Sequence, residues 1–232
     1  HDALGKLQRP WFSGGTITIA SVQGDGYRRH ANEAAFEDGT LDYLNLPAVE
    51  AGLKHVTRVG IEAIHQRVMA LTDWLLNTLT ALRHSNRQPL VRILGPSDTR
   101  MRGGTISRVL LDPAGQAFDE RRIEALAGIA GISLRTGCFC NPGAGEIAHH
   151  LSEEEMKAFF QKDDHVSFDD LRQTIQQGYG KSEASIRISL GIASNFADVQ
   201  RFVHFATDLL DRSSEEIGRE ECGLCRVTHD RM

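Results

Sequence analysis

From Thr57 to Leu82 the apolar residues fall at Val59, Ile61, Ile64, Val68, Leu71, Leu75, Leu79 and Leu82. That spacing marks one face of an α-helix, held for about seven turns at 3.6 residues per turn. No other stretch is as regular, so the fold must be arranged around this helix. The segment "HSNRQP" (84–89) ends it with turn-forming residues and a proline. Beyond that point the pattern changes. "LVRIL" (90–94) and "TISRVLL" (105–111) are short β-like runs on either side of a turn-rich loop. "DERRIEALAGIA" (119–130) reads as a helix and "ISL" (132–134) as a short strand. In "SEEEMKAFFQ" Ser152 precedes Glu155 by three, a capping box. "SFDDLRQTIQQG" repeats the device with Ser167 and Asp170 and stops at Gly178. "ASIRISLG" (184–191) alternates as a strand, and "NFADVQRFVHFATDLL" (195–210) is an amphipathic helix capped by Asn195. The order β-β-α-β-α-α-β-α predicts a small α+β layer structure over 85–211.

Ahead of the long helix, "WFSGGTITIASVQGDG" (11–26) reads as loop and short strand. Pro47 starts a short helix, where its missing N–H costs nothing. The predicted organisation is therefore 1–84, ending in the long helix, then 85–211, then a polar tail at 212–232. With 41% hydrophobic and 25% charged residues, the chain has enough apolar material for a real core. A net charge of −5 leaves no basic excess for nucleic-acid phosphates. No apolar run reaches the ~18–20 residues that span a bilayer. Four cysteines are too few and too unevenly placed for a disulfide-stapled domain, which predicts reduced thiols in a cytoplasmic setting.

Half of the cysteine lies in "RTGCFCNPG" (135–143). A strand running into a Gly- and Pro-containing loop is a common place to display a reactive group. Gly137 permits unusual backbone angles and Pro142 stiffens the exit. A nucleophilic thiol needs exposure and positive charge nearby, which Arg135, His149 and His150 are placed to supply. Two other readings stay open. Free cysteine often serves as a small buried apolar residue, although this loop is poorly suited to packing. Cys138, Cys140, Cys222 and Cys225 also make a C-x-C…C-x₂-C set of soft ligands. Its first pair is closer than zinc pairs usually are, and about eighty residues separate the two pairs.

Four segments, in order, resemble one family. "RTGCFCNPGAGE" resembles the active-cysteine loop of the molybdenum cofactor sulfurases, class V aminotransferase relatives of the cysteine desulfurases. "RPWFSGGTI" (9–17) is similar to that family's aromatic-Gly-Gly-Gly-Thr segment, with Ser13 in place of one glycine. "FEDGT" (36–40) is similar to its Phe-Glu-x-Gly-Thr motif. "SIRISLGIASNFADVQRFVHF" (185–205) is similar to its Val-Arg-x-Ser-x-Gly…Asp-Val segment. The match runs from about residue 9 to 210.

The resemblance implies an α/β fold of the aspartate aminotransferase type that uses pyridoxal 5′-phosphate (PLP). The chain would supply the end of the large domain (1–84) and a complete small domain (85–211). Cys140 aligns with the nucleophile that becomes a persulfide, and Cys138 with a variable neighbour. Arg187 aligns with the arginine that grips the substrate carboxylate, and Arg135 lies in the same loop as the thiol. Gly14, Gly15, Thr16 and Thr40 fall in segments that approach the cofactor phosphate across a dimer interface. The implied substrate is L-cysteine, with a separate sulfur acceptor.

None of Lys6, Lys54, Lys157, Lys162 and Lys181 matches the family's Schiff-base motif. In the family that lysine precedes the segment where this chain starts. The resemblance therefore implies either a piece of an enzyme or one half of it, acting as a homodimer or with a chain that carries the lysine. No metal is implied.

Overall fold

The computed structural model describes residues 6–7, 14–137, 139–161, 170–171, 173–175 and 185–218. In chain order the elements are β1 (Ile17–Ser21), β2 (Gly26–Arg29), α1 (Leu46–Val59), α2 (Ile61–Ala81), β3 (Val91–Leu94), β4 (Thr105–Leu110), α3 (Glu120–Ile129), β5 (Arg135–Gly137), α4 (Pro142–Ala148), α5 (Glu153–Phe160), β6 (Ser185–Ser189), α6 (Phe196–Thr207) and α7 (Ser214–Ile217). Short 3-10 turns lie at Gly14–Thr16 and Asn32–Ala35. The chain forms two compact units. One holds His1–Val59 and Cys138–Glu183; the other holds Gly60–Gly137 and Ala184–Met232.

The second unit is built on a four-stranded antiparallel sheet in the order β3-β4-β6-β5. Leu75, Leu76 and Leu79 of α2 pack with Ile106 and Leu110 of β4. Ile123 and Ala127 of α3, and Val199, Phe202 and Ala206 of α6, join the same core. Each fully buried leucine contributes roughly 1.5–3 kcal/mol over an exposed one. Asn195 caps α6 as its sequence predicts, and Asp119 caps α3.

The first unit is smaller in its packing. β1 and β2 form an antiparallel hairpin with an irregularity between Ile17 and Ile19. Ile19 packs with Leu151, Met156, Phe159, Phe160, Leu171 and Ile175. The Ser152–Glu155 capping box starts α5, with the Ser152 amide donating to Glu155 Oε2 at 2.7 Å. Helix α1 buries none of its residues.

Several expectations change. The helix expected over 57–82 is two helices, broken at Gly60, whose φ of 95° an L side chain rarely adopts. The expected boundary near residue 84 falls inside the second unit, because α2 supplies that unit's core. The strand expected at 132–134 begins instead at Arg135. The Ile132 amide is used up in closing α3, donating to the Ala127 carbonyl at 2.8 Å, so pairing with β6 starts three residues later. The short helices α4 and α7 were not foreseen. Asn141-Pro142 starts the first, and a Ser213–Glu216 capping box starts the second, inside the stretch read as tail. The Ser167 cap and Gly178 stop lie outside the described residues.

Candidate active site

Cys140 is exposed, on the tight loop between β5 and α4. The backbone there is unusual. Gly137 has φ 104°, and Phe139 and Cys140 both have φ 56°, in the left-handed region that side chains avoid. Asn141 then caps α4, its Oδ1 accepting from the Ala144 amide at 3.3 Å. The loop thus turns sharply and hands the chain to a helix, leaving the thiol at the outer edge.

Cys140 lines a cavity of about 820 Å³ within the first unit. Its wall is β1 with Val22 and Tyr27, and Gly14, Pro142, Gly145 and Leu171 complete it. This lining is largely apolar, and its charged member is Asp25. Of the two histidines expected to supply charge, His149 is buried and His150 is exposed with φ 58°. Cys138 and the pair Cys222/Cys225 lie outside the described residues. Among the described residues, no group of three His, Cys, Asp or Glu is placed to hold a metal ion.

The expected phosphate neighbours separate into two kinds. Gly14 and Gly15 are exposed, and Gly14 borders the Cys140 cavity. Thr40 is exposed after Gly39, where φ is 81°. Thr16 is fully buried, and its carbonyl accepts from the His30 amide at 3.0 Å. The expected carboxylate ligands belong to the second unit. Arg135 in β5 and Arg187 in β6 are direct cross-strand partners. Sequence reasoning placed Arg135 in the cysteine loop and did not foresee this pairing. Thr136, between Arg135 and Gly137, donates to Glu124 Oε2 at 2.7 Å and ties β5 to α3.

Sequence reasoning also missed Glu146 of α4. It is fully buried, and its carboxylate accepts from the backbone amides of Val22 and Gln23. The only local signal is a lone carboxylate in the small, apolar run "PGAGEIA".

One unit thus presents an exposed thiol on a left-handed loop, and the sheet of the other unit carries a cross-strand arginine pair. The chain belongs to the class V aminotransferase family: the family model "Aminotransferase class-V" matches residues 1–202. The chain is 35% identical over 205 residues to a molybdenum cofactor sulfurase of Solanum lycopersicum, covering 88% of this chain and 24% of that protein. It is 33% identical over 214 residues to the molybdenum cofactor sulfurase of Homo sapiens, covering 90% of this chain and 24% of that protein. The chain thus spans about a quarter of the length of these curated relatives. Among solved structures, the apo cysteine desulfurase of Thermococcus onnurineus NA1 aligns with a TM-score of 0.47 at 18% identity, over 87% of this chain and 39% of that one.

Class V aminotransferases are PLP enzymes, so PLP is the cofactor of this family. The described residues fit the group in part. Of the residues expected near the phosphate, Gly14, Gly15 and Thr40 are exposed and Thr16 is not. No lysine is among the described residues that line the Cys140 cavity. Lys54 and Lys157 pair instead with Glu50 and Glu153 on their own helices.

Proposed function

We propose that this chain is the sulfur-accepting part of a PLP-dependent sulfurtransferase, with Cys140 as the nucleophile and L-cysteine as the donor. The observation that carries the proposal is the exposed Cys140 thiol on its left-handed loop at the edge of the cavity. Kinship to the molybdenum cofactor sulfurases supports it.

In this reading Arg187 receives the substrate carboxylate. A planar guanidinium pairs with it through two parallel hydrogen bonds, and the neighbouring Arg135 adds positive charge. The Cys140 thiolate attacks the sulfur of L-cysteine, so an S–S bond forms as the substrate Cβ–S bond breaks. The electron pair of the broken bond goes to carbon, a proton follows, and alanine is left. Cys140 then carries the extra sulfur as a persulfide for an acceptor. When bound, PLP supplies the electron sink for the substrate carbon. Gly14, Gly15 and Thr40 would hold its phosphate, with the buried Thr16 supporting that turn, and a lysine-bearing segment or partner chain would supply its anchoring amine.

The test uses the intact enzyme with PLP and L-cysteine. Cys140→Ser abolishes persulfide formation, whereas Cys138→Ser keeps the larger part of it. The opposite result moves the nucleophile to Cys138. The 232-residue chain alone, given PLP and L-cysteine, is expected to release no sulfide, and robust release would sink this reading.

A further inference from the structure

The carboxylate of Glu146 is fully buried and has no part in the sulfur transfer as written above. Its Oε1 accepts from the Val22 amide at 3.2 Å, and its Oε2 accepts from the Gln23 amide at 2.9 Å. A carboxylate held by two successive backbone amides makes a strong, directional pairing. Two further contacts join the same pieces of chain. The Gln23 side-chain amide donates to the Leu151 carbonyl at 2.7 Å. Gly143 packs so close to Val22 that a Cβ there would lie 3.0 Å from Val22 Cγ2. The stretch from Gly143 to Leu151 is therefore fastened at three points to the turn after β1.

That turn continues the cavity wall, because β1 and Val22 line the cavity that Cys140 borders. Cys140 itself stands at the N-terminal approach to α4, in backbone that is not at rest. Strained residues persist only where their surroundings over-determine them. The clamp at Val22 and Gln23 is the fixture that anchors α4 on the far side of the loop.

We infer that Glu146 is a positioning residue: by clamping the β1–β2 turn to α4 it holds the Cys140 thiol against the apolar wall of the cavity. The inference rests on Cys140 being the nucleophile, since only then does its placement matter to the reaction.

The test is selective alkylation of Cys140 in the full chain, mapped by peptide mass. N-phenylmaleimide and N-methylmaleimide react by the same chemistry, and each rate is normalised to that of glutathione. The phenyl ring gains only if Ile17, Ile19, Val22 and Tyr27 are held beside the thiol. The natural chain is expected to prefer the phenyl reagent about fivefold, the effect of partial burial of one ring. Glu146→Gln turns one acceptor into an N–H₂ group that faces a backbone N–H. This variant should lose the phenyl preference, react with N-methylmaleimide within about twofold of the natural chain, and exchange the Val22 and Gln23 amides faster. Glu146→Asp keeps both acceptors on a shorter stem and should fall between, which decides the matter if Glu146→Gln does not fold.

Two results overturn the inference. One is a natural chain with no phenyl preference. The other is a preference that survives in Glu146→Gln, or in Glu146→Asp if that is the variant that folds, although the two amides exchange faster. The readout involves no persulfide. A Glu146-dependent preference alongside failure of Cys140 to take sulfur would leave the clamp standing and remove the transfer reading.

Discussion

The two units spend their apolar residues differently. The second closes a four-stranded sheet with α2, α3 and α6, and Leu75, Leu79, Ile106 and Ile123 are sealed from solvent. The first has a two-stranded hairpin, a core of seven residues among those described, and a helix, α1, whose Leu46, Val49 and Leu53 all stand exposed. Within its own unit α1 gains nothing from burial, so its helicity rests on propensity and on pairs such as Glu50–Lys54. Yet it is the first unit that holds the thiol, its cavity and the buried Glu146 clamp. The better-packed unit holds the arginine pair on sheet strands, where register fixes side-chain direction. Strand register sets the spacing of that pair, whereas the thiol's loop depends on the polar contacts at Val22 and Gln23.

The contrast can be broken by mutation. The largest effect is expected at Leu79, which is completely buried in the second core. Leu79→Ala should cost about 3 kcal/mol in denaturant unfolding, from lost transfer energy and the cavity left behind. A cost below about 1 kcal/mol would mean that this core is looser than its packing implies.

Next is Arg108, on the core side of β4 between Ile106 and Leu110. It is fully buried; its Nη1 donates to the Ile106 carbonyl at 3.5 Å, and its Nε and Nη2 have no hydrogen-bond partner among the described residues. Its guanidinium lies 4.3 Å from the centre of the Phe202 ring. Burial pushes its pKa well below the ordinary arginine value. The ring interaction offsets only part of the desolvation cost. Arg108→Met should raise the second unit's stability by about 1–2 kcal/mol, read as a higher unfolding midpoint with an unchanged m-value. A lower midpoint would show that the Phe202 ring and the Ile106 carbonyl together outweigh the desolvation cost.

A smaller effect is expected at Asp112. Burial works to raise its carboxyl. Hydrogen bonds from the Ser214 hydroxyl and from the Gln116, Ser214 and Ala114 amides outweigh this and hold it below the ordinary aspartate value. A lowered folded-state pKa means that the ionised form favours folding. The contribution is full above the unfolded value, about pH 4, and is lost as pH falls through the lower folded value. Asp112→Asn should therefore cost about 1 kcal/mol at neutral pH and flatten the acid limb of the stability profile. An unchanged acid limb would mean that Asp112 does not fasten α7 through Ser214. The smallest effect is expected in the first unit: Leu53→Ala, at an exposed site on α1, should change stability by less than about 0.5 kcal/mol. A large loss there would erase the contrast with Leu79.

What could be read from the sequence follows from range. The capping box at Ser152 and the cap at Asn195 are contained within four residues, and both form as read, with Asp198 completing a box at Asn195. The periodicity of α2 was legible because one face must meet a core, whereas Gly60 ends α1 through its own backbone freedom, which periodicity does not weigh. The Arg135–Arg187 pairing depends on strand register across residues far apart in sequence. The Glu146 clamp joins a helix to amides more than a hundred residues earlier. Backbone amides carry no sequence signature, so nothing in Val22 or Gln23 marks them as partners. The cysteine loop was legible as chemistry, from Gly, Cys, Asn and Pro in one turn, but its left-handed pair at Phe139 and Cys140 was not.

The most direct test of the account is to locate the transferred sulfur. The intact enzyme with PLP is exposed to L-cysteine, trapped by alkylation, and its cysteine peptides are fragmented for mass analysis. The account predicts one additional sulfur atom on Cys140, removed by a thiol reductant. Sulfur on Cys138, Cys222 or Cys225 with Cys140 unmodified would contradict it.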